Sequence, residues 1–125
     1  MDIRVSVFDD NNALRDSLYF LISGTPGFKI AGIYPDCGQI LEHLKANETD
    51  VILMDIDMPG LNGIEATALV KSHYPLINVL ILTSYDDSTK IFDALQSGAT
   101  GYLLKKTPPA KSCVVANCGY RHFFI

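Results

Sequence analysis

The stretch Val51-Ile52-Leu53-Met54-Asp55-Ile56-Asp57-Met58-Pro59-Gly60 runs through four apolar residues and then stops at a carboxylate and a Pro-Gly turn. A short apolar run bounded by turn residues fits a strand covered on both faces, and in open α/β sheets ligands bind just outside the carboxyl ends of such strands. Asp55 is therefore a charge at the mouth of a buried strand. Taken alone, it is as readily a turn former as a reactive group.

Working outward, similar apolar runs at 3–8, 28–33, 78–83 and 101–104 join 50–54 as expected strands, and helical patterns separate them. Strands alternating with helices are the signature of βαβ units and a parallel sheet. Arg4 and Ser6 alternate with apolar neighbours in the first run, so burial on both faces is expected of 51–54 and 79–82 more than of 3–8. Leu14, Leu18, Leu21 and Ile22 recur at helical spacing after Asn11-Asn12, which can cap a helix. Asp36 with Gln39, and Asn62 with Glu65, have the spacing of a capping box or a close variant, each ahead of an apolar stripe. A fourth helix carries Ile91, Phe92 and Leu95, with Gly98 placed to end it in a left-handed cap.

Thr107-Pro108 would start a fifth helix well, because Thr caps and Pro is tolerated at the first helical position. Ala110, Cys113, Val114 and Cys118 can form a stripe after it, but residues 112–120 contain no charge to make a solvent face. The end, Phe123-Phe124-Ile125, has no evident burial partner.

A chain of 125 residues with 48% hydrophobic and 19% charged residues fits one globular domain. Its net charge of -4 gives no electrostatic case for direct nucleic-acid binding. All 14 acidic residues lie between Asp2 and Asp93, whereas 94–125 carry only Lys105, Lys106, Lys111 and Arg121. Cys37, Cys113 and Cys118 are odd in number and lack CxxC spacing, so neither a disulfide framework nor a zinc site is indicated and a reduced cytoplasmic location is expected. Met1-Asp2-Ile3-Arg4 enters a strand-like run without the basic-then-apolar pattern of a secretory leader, and no apolar run approaches the ~20 residues of a membrane span. His43, His73 and His122 show no ligand spacing.

Asp9-Asp10 follow the first expected strand, Asp55 the third, Thr83 the fourth and Lys105 the fifth. In a right-handed parallel sheet these strand ends share one edge, so the five residues converge. Facing carboxylates raise one another's pKa unless a cation neutralises them, and hard oxygen ligands suit Mg2+. One Mg2+ and Lys105 would balance Asp9, Asp10 and Asp55. A carboxylate can form an aspartyl phosphate, and phosphoryl transfer needs mainly positioning and charge stabilisation around three oxygens. Separately, each residue has a bland reading: helix cap or loop acid for Asp9 and Asp10, structural hydroxyl for Thr83, solvated cation for Lys105.

With the acidic pair, Asp55 before Met58-Pro59-Gly60, Thr83-Ser84 and Lys105 after Gly101-Tyr102-Leu103-Leu104, the chain resembles a response-regulator receiver domain of two-component signalling, from Ile3 to about Pro109. The stretches Leu61-Asn62-Gly63-Ile64-Glu65-Ala66 and Tyr102-Leu103-Leu104-Lys105-Lys106 most resemble receivers that precede a helix-turn-helix output domain. The resemblance implies a flavodoxin-like, doubly wound five-stranded parallel sheet of order 2-1-3-4-5 with helices on both faces. It implies Asp55 as phosphoacceptor, Asp10 as direct Mg2+ ligand, Asp9 as an acid holding the metal through water, and the backbone carbonyl of Asp57 as a further ligand. Thr83 and Tyr102 would be the switch pair, and Lys105 would hold the phosphoryl group. The implied partners are a sensor histidine kinase and a second copy of the chain, docked through the fourth helix, fifth strand and fifth helix.

Two departures stand out. Lys106 occupies the position where many receivers have a proline in cis, and a cis bond before a non-proline residue costs about 3 kcal/mol. The expected receiver is 1–111, and the tail 112–125 lacks a charged amphipathic helix, as a divergent, truncated or frame-shifted end would. Two rival readings fit part of the pattern. A phosphatase of the haloacid dehalogenase type also uses Asp-x-Asp, Thr or Ser, Lys and an acidic pair, but in a different order and with more chain. A pseudo-receiver would bind partners without being phosphorylated.

Overall fold

A computed structural model of the chain describes residues 2–58, 60–83 and 88–105. Within them β1 (Ile3–Phe8), α1 (Asn12–Ser23), β2 (Phe28–Tyr34), α2 (Ile40–Ala46), β3 (Val51–Asp55), α3 (Gly63–His73), β4 (Asn78–Thr83), α4 (Ser88–Gln96) and β5 (Gly101–Leu104) alternate along the chain. The strands are all parallel and lie in the order β2-β1-β3-β4-β5. This is the expected flavodoxin-like sheet. The chain begins on an inner strand, winds out to β2, crosses back to β3 and continues to β5.

Successive side chains of a strand point to opposite faces, and the two faces carry separate cores. Val5, Val7, Val51, Leu53, Leu80, Leu82 and Leu103 pack with Leu18 and Ile22 of α1. Phe8, Ile52, Met54, Val79 and Ile81 pack with Ile40 and Leu44 of α2, Ala66 and Val70 of α3 and Ala94 of α4. Helices therefore cover both faces. β3 is buried throughout, as its continuous apolar run requires, and β1 is buried at every residue except Arg4.

Ser6 is buried despite its polarity because its hydroxyl pairs with that of Thr49 at 2.7 Å. Arg4 lies at the amino-terminal edge of the sheet, where Nε and Nη2 each donate to Asp50 at 3.0 Å and Nη1 also pairs with Glu48. The Arg4 guanidinium holds the Asp50 carboxyl below its ordinary range. This clamp explains a boundary: Asp50 spends its carboxylate on Arg4 at the strand's entrance, and β3 runs from Val51 to Asp55 rather than from 50 to 54. β2 extends one residue past the expected 33, because Tyr34 pairs with Phe8.

The helix caps follow the sequence in two cases and depart from it in a third. Asn11 accepts from the Leu14 N–H at the start of α1, and Asn62 with Glu65 forms a complete capping box at the start of α3. Asp36 instead accepts from the Gly38 N–H at 2.9 Å, two residues on, and Gln39 occupies the cap of α2 without a side-chain bond. The short Asp side chain closes its own turn before it can reach the helix. Gly98 ends α4 at φ 111, as expected. Lys71 of α3 packs its stem there and donates to the Pro75 and Ile77 carbonyls at 2.9 and 2.7 Å.

Asn62→Ala removes the cap that sets the start of α3 and is expected to lower stability by about 1 kcal/mol, read as a lower urea midpoint with unchanged slope. An unshifted midpoint would show that water replaces the cap. The Lys105–Lys106 peptide, the helix expected from Thr107, the boundary at 111 and the tail 112–125 lie outside the described residues, as do Pro59, Ser84, Cys113, Cys118 and His122.

Candidate functional site

Asp9 follows β1, Asp55 is the last residue of β3, Thr83 the last of β4, and Lys105 follows β5. These four strands are neighbours in the sheet, so their carboxyl ends form one continuous edge. Backbone bonds hold the edge in register: Ile56 donates to the Leu82 carbonyl at 3.0 Å and Lys105 to the Thr83 carbonyl at 2.7 Å. Residues distant in sequence thus meet, as the strand-end pattern predicts.

Asp9 and Asp55 are buried, at 0% and 2% exposure, while Asp10 is exposed beside them. One carboxylate oxygen from each of the three lies within 4.8 Å of the others. Burial of charge at this density is costly. Burial first, and the neighbouring Asp9 second, push the Asp55 carboxyl up to about 6, against the opposing pull of Lys105. The Lys105 ammonium lies 3.1 Å from Oδ2 of both Asp9 and Asp55. Burial alone would lower its pKa, but the two carboxylates outweigh that and hold it above its ordinary value.

One ammonium against three carboxylates leaves two negative charges. Moreover, Asp9 Oδ2 and Asp55 Oδ2 are buried and make no hydrogen bond, although each lies 3.1 Å from the Lys105 ammonium. Buried carboxylate oxygens without hydrogen bonds, beside an exposed third carboxylate, fit a hard divalent cation bound through oxygen. The donor set suits Mg2+ or Mn2+ and has none of the nitrogen or sulfur ligands of a zinc site.

The remaining site residues are placed as follows. Thr83 is buried at the edge, at 1% exposure. Tyr102 is half-buried on β5 and packs against the core shared by α2, α3 and α4. The Asp57 N–H donates to Asp55 Oδ1 at 3.2 Å, and its own carboxylate reaches outward to Lys90 of α4 at 2.9 Å. Of the histidines, His43 stacks on Tyr34 at 3.9 Å, and His73 bonds within the last turn of α3.

A family model for the response regulator receiver domain matches residues 5–115. This chain belongs to that family. Among similar proteins, the uncharacterized transcriptional regulatory protein YxjL of Bacillus subtilis is 36% identical over 107 residues, 86% of this receiver and 49% of that protein. The transcriptional regulatory protein DegU of Brevibacillus brevis is 36% identical over 104 residues, 83% of the receiver and 44% of DegU. The structure of the signal receiver domain of the response regulator NarL from Mycobacterium tuberculosis is 31% identical, with TM-score 0.83, and the match covers 97% of this receiver and 98% of that chain. The receiver spans about half the length of the curated relatives it matches. It is a regulatory signalling domain of two-component systems, and neither rival reading gains support from these matches. Among the described residues no helix is long and apolar enough to cross a membrane.

Three residues that shape the site escaped the sequence reading. Gly63 opens α3 directly against the backbone of Asp55 and Ile56. Its signal is an Asn-Gly pair at a helix start, which reads as turn chemistry alone. Lys90 looks like any exposed helix cation until the fold sets it beside Asp57. Arg15 donates from Nη1 to the Asp9 carbonyl at 2.6 Å and from Nη2 to Asn12 at 3.0 Å. An Arg one turn into the helix behind an acidic pair was the available clue.

Proposed function

We propose that this receiver accepts a phosphoryl group on Asp55 from a sensor histidine kinase in the cytoplasm, and that the change is read by a DNA-binding output domain of the same protein. The observation that carries this reading is the buried Asp55 facing Lys105, with one oxygen of Asp55 and one of Asp9 buried without a hydrogen bond. An Asp55 oxygen attacks the phosphorus of a phosphohistidine, the P–N bond breaks, and the imidazole leaves with that electron pair and takes up a proton. The Lys105 ammonium and the Thr83 hydroxyl are assigned to two of the phosphoryl oxygens. Asp10, Asp55 and the Asp57 carbonyl would hold Mg2+ directly, with Asp9 behind water; when bound, the ion neutralises charge as the phosphoryl group arrives.

Each acceptance is one turnover, so the chain acts as a switch rather than an enzyme. Thr83 and Tyr102 are the proposed switch pair: movement of the hydroxyl toward the phosphoryl group opens space for the ring. Population shift of this kind would present α4, β5 and the segment after Lys105 to a second copy of the chain. The test is incubation with acetyl phosphate and Mg2+, followed by intact mass. The wild type is expected to gain one acid-labile phosphate and Asp55→Ala none. Equal gain by both proteins would remove Asp55 from its role, and sustained hydrolysis of a generic phosphomonoester would favour the phosphatase.

A further inference from the structure

The turn that carries the acidic pair has to hold carboxylates together that repel one another, and Asp9 is fixed there at three points. Its N–H donates to the Tyr34 carbonyl at 3.1 Å, its Oδ1 accepts from the Asn11 N–H at 2.7 Å, and its carbonyl accepts from Arg15 at 2.6 Å. Two of these anchors are backbone groups next to strands or caps. The third is a side chain from α1, and it binds the one Asp9 group through which the chain passes to Asp10. The other Arg15 nitrogen donates to Asn12 Oδ1, so a single rigid fork ties the Asp9 carbonyl to the side chain of the first residue of α1. Asn11 engages Oδ1, which also takes a longer bond from Lys105 at 3.4 Å, and Oδ2 faces the Lys105 ammonium at 3.1 Å.

We infer that Arg15 is a positioning residue for the cation site: it braces the β1–α1 turn so that Asp9 and Asp10 stand ready for a divalent cation. The inference rests on the proposed Mg2+ site. Its force lies in a conflict of signs. Arg15 is itself a cation bonded to the turn that carries Asp9 and Asp10, so as a charge it opposes Mg2+, and its removal should tighten binding. As a brace it favours Mg2+, since without the fork the repelling acids spread and must be ordered again on binding. A bystander that only steadies α1 would change the melting temperature and leave Mg2+ affinity alone.

The experiment is calorimetric titration of the full chain with MgCl2, on wild type, Arg15→Met and Arg15→Lys, with circular dichroism of each in EDTA to confirm folding. Arg15→Met is expected to bind Mg2+ about tenfold more weakly despite losing a positive charge, in the range found when groups behind metal ligands are removed. Arg15→Lys keeps the charge but lacks the planar two-nitrogen fork, and is also expected to bind Mg2+ more weakly than the wild type; it also serves as the second variant if the Met protein does not fold. Wild-type binding with equal or tighter binding in the folded variants overturns the bracing role alone. Absence of Mg2+ binding by the wild type overturns the metal site and the inference with it.

Discussion

Gly63→Ala is expected to unfold at a clearly lower urea midpoint than the wild type, with a loss of about 2 kcal/mol or more, although alanine is the better helix former. The two effects oppose each other and their sizes decide the outcome. Alanine in a helix interior gains about 1 kcal/mol over glycine, and less at the first helical residue, where Gly63 stands. Against this, a Cβ at Gly63 would sit 2.3 Å from the Asp55 carbonyl oxygen and 2.8 Å from the Ile56 Cα. Both are backbone atoms at the carboxyl end of β3, and neither can swing aside as a side chain would. Relief requires α3 to move from β3, which strains the Gly63 N–H bond to the Ile56 carbonyl at 3.1 Å and displaces the segment from Asp55 to Asp57. Stabilisation by Mg2+ should shrink as well, because the proposed ligands lie in that segment. A variant as stable as the wild type, with full Mg2+ stabilisation, would show that the close approach is not required.

The second large effect is expected from Asp55→Asn, which should stabilise the metal-free protein at neutral pH. A carboxyl held at about 6 in the folded chain and at 3.8 in the unfolded one costs about 3 kcal/mol once both states are ionised. Asparagine has the shape of the protonated acid and avoids most of that cost. Between 3.8 and about 6 the folded chain keeps a proton that the unfolded chain has released, so metal-free wild type gains stability from this group as pH falls through that window. Above it the destabilisation is complete. Thermal melts in EDTA from pH 5 to 8 should show the variant ahead by roughly 10 °C near pH 7.5, and the two proteins converging toward pH 5. Mg2+ should raise the wild type and have little effect on the variant. Parallel pH curves would place the charge penalty elsewhere.

The parallel sheet was legible because apolar runs alternated with helical patterns, whereas the order 2-1-3-4-5 followed from the family resemblance and not from any single run. The same reading found Asp9, Asp10, Asp55, Thr83 and Lys105, since a strand's end is marked in the chain itself. What it could not find were residues that act through space. Nothing local distinguishes Gly63 from a turn glycine, because the atom it must avoid, the Asp55 carbonyl, belongs to another element. Lys90 and Arg15 are ordinary helix cations until the topology sets them beside Asp57 and Asp9. The capping rule failed at Asp36 for a related reason: two backbone N–H groups compete for one carboxylate, and the nearer wins.

The Lys105 ammonium reaches Asp9 across a separation of 96 residues, close to the full span of the described fold. Contacts of such range form only after the intervening chain has been ordered, and parallel crossovers make that ordering slow. A chain emerging from the ribosome therefore carries its acidic pair long before it carries the cation that faces it. Until β5 docks, the pocket is a set of mutually repelling carboxylates without the ammonium that faces them. Under the proposed function, competence to accept a phosphoryl group is thus tied to completion of the last strand.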